Sequence, residues 1–104
     1  MIANTDMHFG NLSFFLDDAL PLQLTPGYDM LPMQYRPSVS GAVVARDFEP
    51  AVPMPADMTY WALAARWAET YWQRVAGHVS ISDDFRRIAD RNRESVAALI
   101  RRFA

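Results

Sequence analysis

The chain has no cysteine and no lysine, and only four glycines among its 104 residues. Without cysteine it has no disulfide framework, no zinc-ribbon spacing and no thiol nucleophile. The glycines, at positions 10, 27, 41 and 77, are too scattered to form a loop that cradles phosphates. All ten basic residues are arginine, and the formal net charge of -2 gives no field that favours direct binding of nucleic acid or an anionic membrane.

Long apolar runs are absent as well. No stretch approaches the roughly 18 apolar residues of a membrane span, and the first residues lack the features of a signal peptide, so we expect a cytoplasmic protein. The 51% hydrophobic content is enough for the core of one domain. The chain has 3 Trp, 4 Tyr and 6 Phe, which is more than a small core needs. We therefore expect exposed apolar surface and self-association.

What is present is a set of oxygen-bearing side chains near the start of the chain. Asp6 and Asn11 are five positions apart, and Asp29 follows Asn11 by eighteen. In the protein-kinase pattern, a catalytic-loop Asp accepts the proton of the attacking hydroxyl, while an Asn and a later Asp hold Mg²⁺ against the nucleotide phosphates. Asp6, Asn11 and Asp29 fit these three roles in that order.

His8 lies inside the same motif and leaves alternatives open. It could contact phosphate as part of the cofactor site, or it could hold the backbone through hydrogen bonds. A metal hydrolase built from Asp6, His8 and Asp29 is a further alternative, although no obvious additional ligand accompanies them. Asp6 taken alone could simply cap a turn.

The pattern of apolar and turn residues predicts an α+β fold that is mostly α. Residues 12–16 and 22–25, separated by turn residues, predict a β-hairpin that would bring Asn11 and Asp29 side by side. The segment 31–56 is rich in proline and is predicted to be irregular, except for a short strand at 42–45.

Two helices are predicted in the remainder, at 57–77 and 82–103, as an antiparallel pair. Asp57 and Ser82 are suited to the N-cap positions, and Gly77 is suited to the C′ position. Two apolar rows run side by side along the first helix: Trp61, Ala64, Ala65, Ala68, Trp72 and Val75, and Leu63, Trp67 and Tyr71. The whole chain, 1–104, is interpreted as one partial domain, with the predicted site and hairpin in 1–30, the irregular segment in 31–56 and the helical pair in 57–104.

The two motifs resemble a known family. Residues 2–15, IANTDMHFGNLSFF, and residues 24–31, LTPGYDML, closely resemble the C-terminal half of the HipA-like serine/threonine kinases, toxins of bacterial toxin-antitoxin modules. Both Asp-x-His-x-x-Asn and Pro-x-Tyr-Asp are intact. The resemblance implies transfer of the ATP γ-phosphate to a protein Ser or Thr, with Asp6 as base and Asn11 and Asp29 as Mg²⁺ ligands. It also implies protein substrates, aminoacyl-tRNA synthetases among them, and a helix-turn-helix antitoxin.

Parts that a kinase needs are missing from these residues. The glycine-rich loop and the phosphate-pairing Lys lie well upstream of the catalytic loop, whereas Asp6 is the sixth residue here. We therefore expect the C-terminal piece of a kinase, inactive alone and with no nucleotide bound. The alternative is a non-catalytic interaction module or truncated relic, whose Trp-rich helices bind a partner or a second copy.

Overall fold

A computed structural model describes residues 1–16, 18–28, 30–41 and 46–104, apart from the side chain of Phe9. The chain divides into two compact units. We name them the helical unit, which comprises Met1–Ile2 and Asp47–Ala104, and the loop unit, which comprises Ala3–Arg46. Asp6, His8 and Asn11 all belong to the loop unit.

Two helices form most of the helical unit. Helix α1 spans Met58–Gly77, after a 3-10 turn at Pro55–Asp57, and helix α2 spans Asp83–Phe103. Both predicted helices are confirmed, and each begins one residue after its predicted range because that range included the N-cap residue. The rings of Trp61 and Phe103 lie 6.0 Å apart, so the start of α1 packs against the end of α2 and the pair is antiparallel.

The core of the helical unit lies between the two helices. Helix α1 buries one face at helical spacing, comprising Trp61, Ala65, Ala68 and Trp72. Helix α2 presents to the interior Ala89, Asn92, Val96 and Ala97. Because most of these residues are small, the helices can approach closely around the two large indoles.

Both buried indoles have partners for their N–H groups. Trp72 is fully buried, and its Nε1 donates to the carbonyl oxygen of Met1 at 3.0 Å. Trp61 donates in the same way to the carbonyl oxygen of Ala51 at 2.7 Å. A buried indole N–H normally requires such an acceptor, so these two bonds fix the segments before α1 against the helix pair.

Of the second predicted row on α1, Leu63 and Trp67 stay in contact with water, whereas Tyr71 is partly buried. Tyr60, Leu63 and Trp67 are 78%, 49% and 69% exposed, and they share one side of the helix at spacings of three and four residues. We call these three residues the exposed apolar row. None of the helices in the described ranges has the length and apolar character needed to cross a membrane.

The helix ends agree only in part with the sequence signals. Asp57 occupies the N-cap position of α1, but its side chain makes no capping hydrogen bond. Gly77 is the last residue of α1, and the C-cap is His78, whose N–H donates to Val75 O at 3.3 Å. The predicted C′ role of Gly77 is therefore wrong, because the helix closes with a tighter last turn that requires no left-handed residue.

Ser82 caps α2 as predicted, since its Oγ accepts the N–H of Phe85 at 3.3 Å. We expect Ser82→Ala to lower the free energy of unfolding by about 1 kcal/mol, because it leaves this N–H without its acceptor. Urea denaturation followed by helical circular dichroism would measure the change. Ser80→Ala is the matched control, since Ser80 is exposed in the same connection. An equal loss from both variants would contradict the capping role.

The predicted β-hairpin, and with it the α+β fold class, is wrong. No strand occurs in the described residues. Residues 12–25 hold a single antiparallel bridge, Phe14 to Leu24, flanked by hydrogen bonds from Phe15 N to Gln23 O and from Thr25 N to Ser13 O, both at 2.8 Å. Phe14, Phe15 and Leu24 are 59%, 54% and 55% exposed, so the pair has no buried face to support longer pairing. The predicted strand at 42–45 lies outside the described residues.

Candidate functional site

The predicted catalytic base, Asp6, is held through its backbone and not through its carboxylate. Its N–H donates to Asn4 Oδ1 at 3.1 Å, and the Asn4 amide nitrogen donates to Met30 Sδ at 3.4 Å. The preceding Ala3 is buried with a φ of 59°, a left-handed conformation that is uncommon for alanine. The carboxylate of Asp6 is exposed, and no described residue pairs with it. It is therefore open to a ligand.

The next residues form a compact turn closed by a reciprocal pair of hydrogen bonds. The N–H of Asn11 donates to His8 O, and the N–H of His8 donates to Asn11 Oδ1, both at 3.0 Å. Asn11 is only 3% exposed. Its amide oxygen thus has a structural partner, although a carbonyl oxygen has two lone pairs and can accept a second ligand. The predicted role of Asn11 in binding a metal stays a prediction.

His8 makes a backbone contact of its own. Its Nδ1 accepts the N–H of Gly10 at 3.0 Å, while the side chain as a whole is exposed. A Cβ at position 10 would lie 2.8 Å from two atoms of the His8 ring, so glycine is required for this close approach. This geometry corresponds to the structural alternative for His8, and its cofactor-binding role stays a prediction.

Asp29, the second predicted metal ligand, lies outside the described residues. Its two neighbours are described, and both contact the motif loop, by which we mean residues 4–11. The hydroxyl of Tyr28 donates to Gly10 O, and Met30 Sδ accepts from Asn4. Tyr28 is half-exposed, so its ring is not part of a buried core. Side chains thus join the two sequence motifs within the loop unit.

A cleft of about 370 Å³ opens beside Asp6 within the loop unit. It is lined by Thr5, Asp6, Met33, Gln34, Arg36 and Arg46. No sequence motif predicts the two arginines, which are ten residues apart in a proline-rich stretch with no periodic pattern of apolar residues. The absence of lysine was the one available signal, since it leaves arginine as the only fixed cation for any anion site in these residues.

The described residues contain no group of three or more His, Cys, Asp or Glu side chains that could hold a metal ion. The predicted pair of Asn11 and Asp29 is of a different kind, with one amide and one carboxylate. The hydrolase alternative also includes Asp29. The magnesium site and the hydrolase site both stay predictions.

Comparison with known proteins gives one significant similarity. The chain is 42% identical over 96 residues to Toxin YjjJ of Escherichia coli (strain K12). The match takes in 92% of this chain and 21% of that protein, so the chain spans about a fifth of the length of its relative. No protein-family model and no solved structure match the chain. The chain is therefore homologous to one part of a protein named as a toxin.

Proposed function

We propose that these residues carry the catalytic loop of a HipA-like protein serine/threonine kinase with a toxin function. In this proposal Asp6 is the general base, Asn11 and Asp29 are Mg²⁺ ligands, and His8 lies at the cofactor site. The homology to Toxin YjjJ supports the toxin part of the proposal. Because the chain spans only 21% of that relative, the activity, substrates and partners of a whole protein belong to the proposal too.

One observation carries the kinase assignment: hydrogen bonds from the motif loop reach both described neighbours of Asp29. Tyr28 is bonded to Gly10, and Met30 is bonded to Asn4. Phosphoryl transfer needs the base and the metal ligands within one site, although they are far apart in sequence. The contacts on either side of position 29 support such a convergence, and they do so without the predicted hairpin.

The donor set fits the proposed cofactor. Mg²⁺ prefers hard oxygen ligands and accepts one or two from protein, with phosphate and water completing its shell. Asn11 Oδ1 keeps one lone pair beyond its bond to His8 N. When bound with ATP, the ion would neutralise charge on the β- and γ-phosphates.

Asp6 would then accept the proton of the substrate hydroxyl. The hydroxyl oxygen of a substrate Ser or Thr attacks the γ-phosphorus, the bond from that phosphorus to the β,γ-bridging oxygen breaks, and ADP leaves. The hydroxyl proton passes to the carboxylate of Asp6, which is exposed on its cleft and has no described ion-pair partner. The family resemblance suggests aminoacyl-tRNA synthetases as substrates and a helix-turn-helix antitoxin as partner.

A second candidate function is supported by the exposed apolar row. An aromatic and aliphatic surface on α1 is exposed to solvent, and it is formed by Tyr60, Leu63 and Trp67. Such a surface is typical of contact sites, so the chain could act as a non-catalytic module that binds a partner or a second copy. The two candidates differ in whether a nucleotide is ever needed.

Calorimetric titration of Mg·ATP into the 104-residue chain tests whether nucleotide binding needs the glycine-rich loop and the Lys that this chain lacks. We expect no saturable binding in the range of about 1 μM to 1 mM in which enzymes usually bind substrates, because the chain has no glycine-rich loop and no Lys for the phosphates. The same titration should saturate for a protein in which a glycine-rich loop and a Lys are encoded upstream in the same frame. Absence of binding there too would contradict the kinase proposal and leave the interaction module.

A further inference from the structure

The cleft beside Asp6 carries more positive than negative charge. Among its lining residues, Asp6 supplies one carboxylate, and Arg36 and Arg46 supply two guanidinium groups. Both arginines are exposed, and no described residue forms an ion pair with either of them. The cleft therefore attracts an anion in spite of Asp6.

Three of the other arginines are paired with carboxylates among the described residues. Arg86, Arg87 and Arg93 on α2 form ion pairs with carboxylates of their own helix. These exposed pairs contribute little to stability, but they neutralise the charge locally. Arg36 and Arg46 differ from these three because their charge is left for a ligand, and they differ from the remaining arginines, which lie on the helices, because both line the cleft beside Asp6.

The chemistry of the lining favours a phosphoryl group over a carboxylate. A guanidinium has a planar set of five donors that matches two oxygens of a phosphate. A phosphate monoester carries nearly two charges and three terminal oxygens, so it can engage two guanidiniums at once. A carboxylate has one charge and two oxygens, so it would gain less from the two arginines.

Local hydrogen bonds tie the two sides of the cleft together. The N–H of Gln34 donates to Ala3 O at 3.0 Å. This bond links the turn Met33–Tyr35 to the segment that precedes Asp6. Tyr35 is buried and anchors that turn, and the N–H of Arg36 closes it on Met33 O at 3.1 Å. The backbone of Arg36 is therefore positioned relative to Asp6 before any ligand arrives.

We propose that this cleft binds a phosphoryl group, held by the guanidiniums of Arg36 and Arg46 next to the carboxylate of Asp6. The inference rests on the proposed function for one point, that the group beside Asp6 is the one transferred to the substrate hydroxyl. A phosphorylated serine side chain and free inorganic phosphate carry the same chemistry.

Nuclear magnetic resonance titration of the 104-residue chain tests the proposal. The probes are inorganic phosphate, a short phosphoserine peptide, and the same peptide with serine. At concentrations above the limit of about 1 mM set for Mg·ATP binding, we expect phosphate and the phosphoserine peptide to shift the backbone signals of Thr5, Asp6 and Gln34. The serine peptide should leave these signals unchanged. Tighter binding of the phosphopeptide than of phosphate assigns the cleft to the reaction product, and equal binding assigns it to the phosphoryl group alone. Either result supports the inference.

Variants make the test specific. Arg36→Gln combined with Arg46→Gln should weaken binding by roughly tenfold or more, since charge-assisted hydrogen bonds are lost. Asp6→Asn should strengthen binding, because it removes the repelling charge. Arg66→Gln is the matched control, an exposed arginine of the helical unit with no ion pair among the described residues, and it should change nothing.

Three results would overturn the inference: no shift at the cleft with either phosphorylated probe, an equal effect of Arg66→Gln, or weaker binding by Asp6→Asn. Dispersed spectra of the variants would show that they fold. Because this measurement involves no phosphoryl transfer, its failure is distinct from a failure of the proposed kinase. Phosphate binding without transfer in the longer protein would remove only the kinase proposal.

Discussion

Replacing Trp72 with alanine is expected to lower the free energy of unfolding of the helical unit by about 3 to 5 kcal/mol. Trp72 is fully buried, its ring packs 5.6 Å from Phe48 and 5.0 Å from Tyr71 between ring centres, and its Nε1 bonds to Met1 O. The variant loses this packing, leaves a cavity and removes the donor for Met1 O. Since small domains are stable by only about 5 kcal/mol, a loss at the upper end of this range would leave folded and unfolded molecules in similar numbers.

Trp67→Ala is the matched control for this prediction. It removes the same side chain from the same helix, but Trp67 is 69% exposed and contributes little buried area. Urea denaturation of both variants, followed by far-ultraviolet circular dichroism, should give a change within about 1 kcal/mol for Trp67→Ala. A loss of similar size in both variants would contradict the observed burial. Light scattering of the Trp67 variant would also show whether the exposed apolar row mediates self-association.

The contrast between these two tryptophans shows what the sequence could predict. Both lie in apolar rows of helix α1, whose existence was predicted from the spacing of its apolar residues. Which row would be buried depends on where α2 packs, and a single-helix pattern carries no such information. The small residues Ala65 and Ala68 belong to the buried row and allow the close contact between the helices that buries it.

The hairpin prediction failed for a related reason. Apolar residues in 12–16 and 22–25 have strand propensity, but propensity yields a sheet only when one face packs on a core. Here Leu16 and Leu20 are 99% and 85% exposed, so nothing supports pairing beyond the bridge at Phe14. The residues of the candidate site also differ in whether the sequence could predict them. The motif predicted Asp6 and Asn11 by residue type and spacing, whereas Arg36 and Arg46 are far from Asp6 in sequence and come near it only in the fold.

In the longer protein that the proposed function requires, Asp6→Asn is expected to reduce phosphoryl transfer by about 10²- to 10⁴-fold, the usual contribution of a general base. Asparagine keeps the size of the side chain and the backbone N–H that donates to Asn4 Oδ1, but it cannot take up the hydroxyl proton. Because no described residue pairs with the carboxylate, folding should be unaffected. Transfer of label from [γ-³²P]ATP to a protein substrate would measure the rate.

Asp57→Asn is the control for this last experiment, since Asp57 is exposed at the start of α1 and its side chain makes no capping bond. It removes the same charge and should leave the rate unchanged. The comparison separates a chemical role from a general effect of charge, because both variants change the net charge equally and neither loses a hydrogen bond of its carboxylate to a described residue. A rate within a few-fold of the parent for Asp6→Asn, with ATP still bound, would remove Asp6 as the base, and the kinase assignment would then lose the residue on which its chemistry depends.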